Sequence, residues 1–294
     1  MNDVVHIDTD GLRAQLQKKL PPKVQRFRLD DIPNVMRSRL GWSVAAALMD
    51  RWFKGPAYVM SDAVKSGRAP HKLTQLNPAQ LDEHTVKMAW ALSHARVKAA
   101  MTKLQAQWAS PAGIAQLQRR VSEQGLGRST QCWQFGNLAS SAKLLDTTSQ
   151  VNFEGIGHFS DPMDDFYGAM GEATLKVAVS GIVTPKSPGK AAIVIDELGF
   201  YLRDSYDFND DSFLSQPLGF WSFSGVERSP QLALDVPTTT QWVHGNPAEL
   251  RSQNYLVQNK HFRQWRKEQG YGGDFMILSD VHRVRLANPV RLEW

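Results

Sequence analysis

The sequence predicts an α+β fold, with a helical N-terminal half followed by a mainly antiparallel β-sheet or open barrel. Two observations carry this. Up to about residue 125 the apolar residues recur at helical spacing; from about residue 130 they fall into short β-rich runs separated by turn chemistry. The charge divides similarly, with 21 Lys and Arg against 11 Asp and Glu in residues 1–150 and 13 against 18 thereafter. The expected units are a helical domain, 1–125, and a β-rich domain, 126–294. At 294 residues, 42% hydrophobic and 21% charged, the chain has ample material for a core and an ordinary globular composition.

Residues 1–28 read as a loosely ordered arm with a basic run, KKLPPKVQRFR. In IPNVMRSRLGWSVAAALMDRWF, Val35, Met36, Leu40, Trp42, Ala46, Met49 and Phe53 lie near helical spacing, and Gly55-Pro56 ends the helix. Asn77-Pro78 reads as an N-cap with proline at the first helical position, opening one helix from Pro78 to Trp108, about 45 Å long at 1.5 Å per residue. Ser110-Pro111 repeats the signal for a shorter helix that Gly125 can close. Trp42, Trp52, Trp90 and Trp108 read as packing between these helices. The expected strands are TQCWQF, SQVNFEGIGHF, ATLKVAVSGIV, AAIVIDELGFYL, GFWSFSG, GDFMILSD and HRVRLANPVRLEW, with TPKSPGK as a turn. KHFRQWRKEQGYGG carries a short helix, and GYGGDF a hairpin or bulge ahead of a strand.

Several function classes are set aside. The single Cys132 excludes an internal disulfide and a cysteine-rich zinc site, and reads as a small core residue. Basic residues are scattered rather than clustered with aromatics, so no nucleic-acid partner is expected. No stretch of eighteen apolar residues and no signal-peptide pattern is seen, so synthesis in a cytoplasm without a secretory signal is expected. The frames of a nucleophile elbow, a His-Glu-x-x-His zinc site and G-x-G-x-x-G are missing.

The most chemically loaded segment is LRDSYDFNDDS, residues 202–212, at the end of an apolar strand. Asp204 and Asp207 could hold a divalent cation through hard oxygen ligands, or one could act as a general base. Asp207-x-Asn209-x-Asp211 opens like a calcium loop, but Ser212 and Leu218 stand where that loop needs glycine and glutamate. Spacing alone leaves a solvated acidic turn and a functional site both open. Tyr206 and Phe208, bulky residues between the acids, point to a turn that packs against something.

Two segments, YGAMGEATLKVAVSGIVT at 167–184 and LRDSYDFNDD at 202–211, resemble the colicin M-like activity domain, and GDFMILSDVHRVRL is similar to that family's closing strands. The family's Asp-x-Tyr-Asp-Phe-Asn motif stands here as Asp204, Ser205, Tyr206, Asp207, Phe208 and Asn209. The whole chain is also similar to a family of uncharacterised bacterial proteins associated with interbacterial toxin systems. The resemblance implies a metal-dependent hydrolase of lipid II, or a related polyprenyl-pyrophosphate lipid, that cuts between the carrier and its pyrophosphate in a rival's periplasm. Asp204, Tyr206 and Asp207 would be catalytic, with Asp204 and Asp207 on Mg2+ or Ca2+. A type VI-like secretion apparatus and a cognate immunity protein would be its partners. The chain departs where the family supplies His-Arg a few residues on, having Phe213 and Leu214 instead. His261 with Arg263 and Arg266, or His282 with Arg283, are the alternative donors. The alternatives in function are a non-enzymatic toxin or adaptor on the same scaffold, or an intracellular binding or immunity-type protein.

Overall fold

Two long strands organise the chain. Val, Ile and Ala dominate β4 (Ala173–Ser187) and β5 (Lys190–Tyr206), which pair antiparallel from Thr174↔Arg203 to Ser187↔Lys190. The computed structural model describes residues 26–66, 73–126, 130–158, 160–187, 189–209, 217–228, 233–235 and 254–294. On the outer side of β4, β3 (Gln150–Ile156) covers its first half and β2 (Trp133–Phe135) its second. On the outer side of β5, β11 (His282–Glu293) covers the first part and β10 (Phe275–Leu278) the last four residues. The two-residue β1 (Leu81–Asp82) adds parallel to β10. The sheet curls into a half-barrel, and the fold class is α+β. A second sheet, in the order β7-β6-β9-β8, consists of β6 (Pro217–Ser222), β7 (Gly225–Glu227), β8 (Ala233–Asp235) and β9 (Asn254–Gln258).

The described helices are α1 (Ile32–Val35), α2 (Ser43–Lys54), α3 (Asp62–Ser66), α4 (Met88–Ala91), α5 (Ala95–Gln107), α6 (Pro111–Glu123), α7 (Ala142–Thr148), α8 (Asp165–Met170) and α9 (Asn259–Gln269). Asp165 ties α8 to α2 by accepting from the Val44 and Ala45 amides and from Trp90 Nε1. Alternation along β5 sends Leu198, Phe200, Leu202 and Tyr206 to one face and Tyr201 to the other. The larger core on the first face runs from Phe27 to Ile277, so residues on both sides of position 125 build it. Trp42, Trp52 and Trp108 are buried in it and Trp90 packs against it.

Each expected strand finds a counterpart, and Ser110 caps α6 by accepting from the Gly113 amide at 3.3 Å. The helix expected over 32–53 is interrupted, because Gly41 sits at φ 69° between a short π-turn and α2. The single helix from Pro78 to Trp108 is corrected more heavily. Asn77 Oδ1 accepts from the Ala79 and Gln80 amides, making a turn rather than a cap. Asp82 then takes the His84 and Thr85 amides and the Thr85 hydroxyl, so local side-chain bonds outcompete the helix. Helix resumes at α4, where Asp280 accepts from the Met88 amide at 2.6 Å, and again at α5. Cys132 is exposed, not a core residue: it lies just ahead of β2, at the sheet's rim, with its thiol 3.5 Å from the Thr184 hydroxyl. Residues 1–25 of the expected arm lie outside the described residues. No described helix is long and apolar enough to cross a membrane.

Candidate functional site

The site forms where β5 outruns β4. Arg203 is the last β5 residue with a β4 partner, Thr174; beyond it Asp204, Ser205 and Tyr206 pair only with Ile277, Met276 and Phe275 of β10. Among the described residues no strand pairs with the other edge of this three-residue stretch. The pleat turns Asp204 and Tyr206 towards the larger core, and Arg203 and Ser205 towards the opposite face.

A cavity of about 310 Å³ lies on the Asp204 side. Asp204, Tyr206 and Asp207 line it together, with Glu172 from the α8–β4 junction. Its remaining wall is mainly apolar and rich in methionine, with Met36, Met49, Met163 and Met170 beside Trp42 and Trp221, and also carries Ser205 and Asn259. The aromatics between the acids anchor the turn. Tyr206 stacks on Phe275 at 5.2 Å, and Phe208 stacks on Phe262 of α9 at 3.8 Å with rings 7° apart. Asp210, Asp211, Ser212, Phe213 and Leu214 lie outside the described residues.

The two acids differ in charge balance. Asp207 Oδ1 pairs with Lys65 Nζ of α3 at 2.9 Å and accepts from the Asn209 amide at 3.2 Å. Asp204 accepts only from the Ser205 amide, at 2.8 Å, among the described residues. Burial pushes the Asp204 carboxyl well above the usual carboxylate range. The Ser205 amide opposes this, the charges of Asp207 and Glu172 add to it, and Lys65 opposes it more weakly. Burial likewise raises the Tyr206 phenol, with Asp204 and Asp50 adding. A carboxyl that keeps its proton beside one held by an ammonium can serve as an acid and a base.

The other expected donors are placed elsewhere. His261 belongs to the cap of α9, where its Nδ1 accepts from the Gln258 amide at 3.1 Å. Arg263 donates to the Phe208 carbonyl at 3.0 Å, holding the acidic turn by its backbone. Arg266 is buried over Trp52 and donates to the Tyr58 carbonyl, Asn209 Oδ1 and Asp274. Arg283 makes a two-point pair with Glu197, and His282 lies opposite Phe200, four residues before Asp204 on β5. None of the five lines the cavity that holds the acids. In GYGGDF, Gly272 has φ 97° and a Cβ there would come within 2.6 Å of Trp52, so this glycine serves a close backbone approach to α2.

One family model matches residues 27–294. The chain belongs to the DUF6402 family. That family is described as one of unknown function, and no curated protein and no solved structure matches the chain.

In this DUF6402 chain the carboxylates expected to hold a cation are Asp204 and Asp207, and Asp207 Oδ1 is matched by Lys65; Mg2+ or Ca2+ would draw its further oxygens from water or substrate. No group of three His, Cys, Asp or Glu side chains converges as a metal site among the described residues. Sequence reasoning missed Lys65 and Glu172. Glu172 stands in the quoted GEATLK opener, but nothing in that run marks its side chain as facing Asp204. Lys65 gave no signal, being on another element 142 residues from Asp207.

Proposed function

We propose that this DUF6402 chain is an antibacterial effector that hydrolyses a polyprenyl-pyrophosphate lipid of the lipid II type in the periplasm of a target cell. Delivery by a contact-dependent, type VI-like apparatus and restraint by a cognate immunity protein complete the proposal. The observation that carries it is that Asp204, Tyr206 and Asp207, the residues matching the colicin M-like motif, line one cavity with an apolar, methionine-rich wall. Methionine's flexible thioether suits an irregular apolar chain, so this wall would take the phosphate-proximal end of the prenyl group. The reaction is written on the chain's own residues. Water oxygen bonds to phosphorus while the Asp207 carboxylate takes its proton; the bond from phosphorus to the prenyl oxygen breaks, and Asp204 gives that oxygen its proton. A divalent cation, where one binds, would sit on Asp204 and Asp207 and neutralise charge on the phosphoryl oxygens, beside the Lys65 ammonium on Asp207 Oδ1.

The test is incubation with lipid II, with and without Mg2+, followed by product analysis. Undecaprenol release by the wild type, lost in Asp204→Asn, is expected; no release beside an active colicin M control would overturn the reading. A second reading, a non-enzymatic toxin or adaptor, is favoured by one observation: His261, Arg263, Arg266 and Arg283 all perform structural tasks. Periplasmic expression separates the two. Lysis that survives Asp204→Asn supports the second; lysis abolished by it supports the first; no toxicity in either compartment leaves an intracellular binding role.

A further inference from the structure

The opposite face of the sheet carries a second recess that shares its rim with the first. It is a groove of about 1110 Å³ between α3, α6, α7 and the β4–β5 hairpin, and Asp204 and Ser205 line both it and the cavity. Five cations line it, Lys65, Arg119, Arg120, Lys176 and Arg203, against the three acids Glu123, Asp146 and Asp204. The cations crowd on few partners. Asp146 is the shared carboxylate of Lys176 at 2.6 Å and Arg203 at 3.0 Å, and also accepts from the Tyr201 hydroxyl. Arg120 reaches only the Asp146 carbonyl and Glu123, and its Nε is buried with no partner among the described residues. Arg119 is mostly exposed, 3.9 Å from Glu123. Lys176 and Arg203 thus share the Asp146 carboxylate and Arg119 and Arg120 share Glu123, so four cations meet two carboxylates, an excess of positive charge that a further anion would balance. Burial and the two neighbouring arginines indeed lower the Lys176 ammonium, against the pull of Asp146. Phe153, 62% exposed, stands in the same groove as an open aromatic face.

We infer that this groove binds a phosphate- or pyrophosphate-bearing ligand, with the Arg119, Arg120, Lys176 and Arg203 cluster on the phosphoryl oxygens and Phe153 beside the attached group. Arginine forks match phosphoryl oxygens in pairs, so a diphosphate engages the cluster better than a single phosphate. Because Asp204 and Ser205 line both recesses, a ligand with its phosphoryl group in the groove and an apolar substituent in the cavity would cross at this end of β5. Only this last point rests on the reading proposed above; anion binding by the groove is measurable without it.

The experiment is calorimetric titration of the full chain with inorganic phosphate, inorganic pyrophosphate and a short-chain prenyl pyrophosphate in detergent, at low and high salt. Pyrophosphate is expected to bind roughly tenfold tighter than phosphate, and more weakly as salt screens the cluster. Arg119→Glu, at a solvent-facing position where folding is safe, should weaken pyrophosphate roughly tenfold or more, and Arg119→Gln by less. Tighter binding of the prenyl form than of free pyrophosphate assigns the ligand to a lipid headgroup; equal binding assigns it to a free phosphate compound. Pyrophosphate binding that is undetectable, or unchanged by both Arg119 variants, overturns the groove. Normal groove binding without lipid II hydrolysis overturns the proposed activity alone, and hydrolysis whose KM ignores Arg119→Glu overturns the placement of the substrate's phosphates in the groove.

Discussion

Asp204, half-buried, and Asp274, fully buried, are carboxylates on neighbouring segments of the same sheet region, and their surroundings are opposite. Asp274, 1% exposed, accepts from Trp52 Nε1 at 3.0 Å and the Met60 amide at 2.9 Å, pairs with Arg266 at 3.1 Å, and also bonds Asn209. Asp204 has one backbone amide and two negative neighbours, Asp207 and Glu172. A buried acid whose charge is matched holds structure together; one whose charge is unmatched costs stability and is a candidate for chemistry. Asp274 fastens α2, α9 and the acidic turn around Asn209, and so supports the site without entering it.

The largest expected effect tests this contrast directly. Asp274→Ala strands the buried Arg266 guanidinium and should lower unfolding free energy by about 3–5 kcal/mol, read by urea denaturation. Asp204→Asn should cost nothing at neutral pH, since it keeps the shape and replaces a carboxyl whose charged form burial disfavours. If the Asn variant lost as much as the Ala variant, the division between a structural and a chemical acid would collapse. Next in size is Phe208→Ala, which removes the stack on Phe262 and the edge contacts with Trp52 and Tyr206. About 3 kcal/mol should be lost, and the acidic turn should open, measured as faster amide exchange at Asp207 and Asn209.

The pH dependence of the same contrast is smaller and has a definite sign. Asp204 has its folded-state pKa raised above the unfolded value, so the native chain holds the extra proton between the two. Wild-type stability contributed by this group therefore falls as pH rises from the ordinary carboxylate value of about 4 towards the raised one, by up to about 1.4 kcal/mol per unit. Asp204→Asn lacks that slope. Its stability advantage should widen from about pH 4 towards neutrality and vanish below pH 4; equal slopes for the two proteins would remove the unmatched-acid assignment.

How much of this was legible beforehand follows from the range of the interactions involved. The β4–β5 hairpin was readable because its β-branched residues and turn lie together in sequence. The aromatic anchoring of the acidic turn was also readable, from Tyr206 and Phe208 alone. The helix from Pro78 to Trp108 failed because Asn77 and Asp82 bond the backbone just after them and Asp280, from the distant β10–β11 link, starts the later helix. Cys132 failed because a small apolar type gives no hint that its segment runs along the sheet's rim. Lys65, Glu172 and the whole cationic groove were invisible for the same reason: side chains from α3, α6, α7, β4 and β5 converge only after the hairpin curls.

The smallest expected effect concerns the histidine that the motif leaves missing. His282 pairs with Phe200, and four strand residues place it about 13 Å along β5 from Asp204. Arg283, exposed, is engaged with Glu197 on both oxygens. The double variant His282→Ala, Arg283→Ala should leave thermal stability, pyrophosphate binding and undecaprenol release unchanged, because neither residue lines the cavity or the groove. Loss of release in a folded double variant would bring β11 into the reaction, and Asp204 would then no longer stand as its acid. Unchanged release would instead leave the proton transfers to Asp204 and Asp207, whose contrast in charge balance is what distinguishes this end of β5 from the matched acid at Asp274.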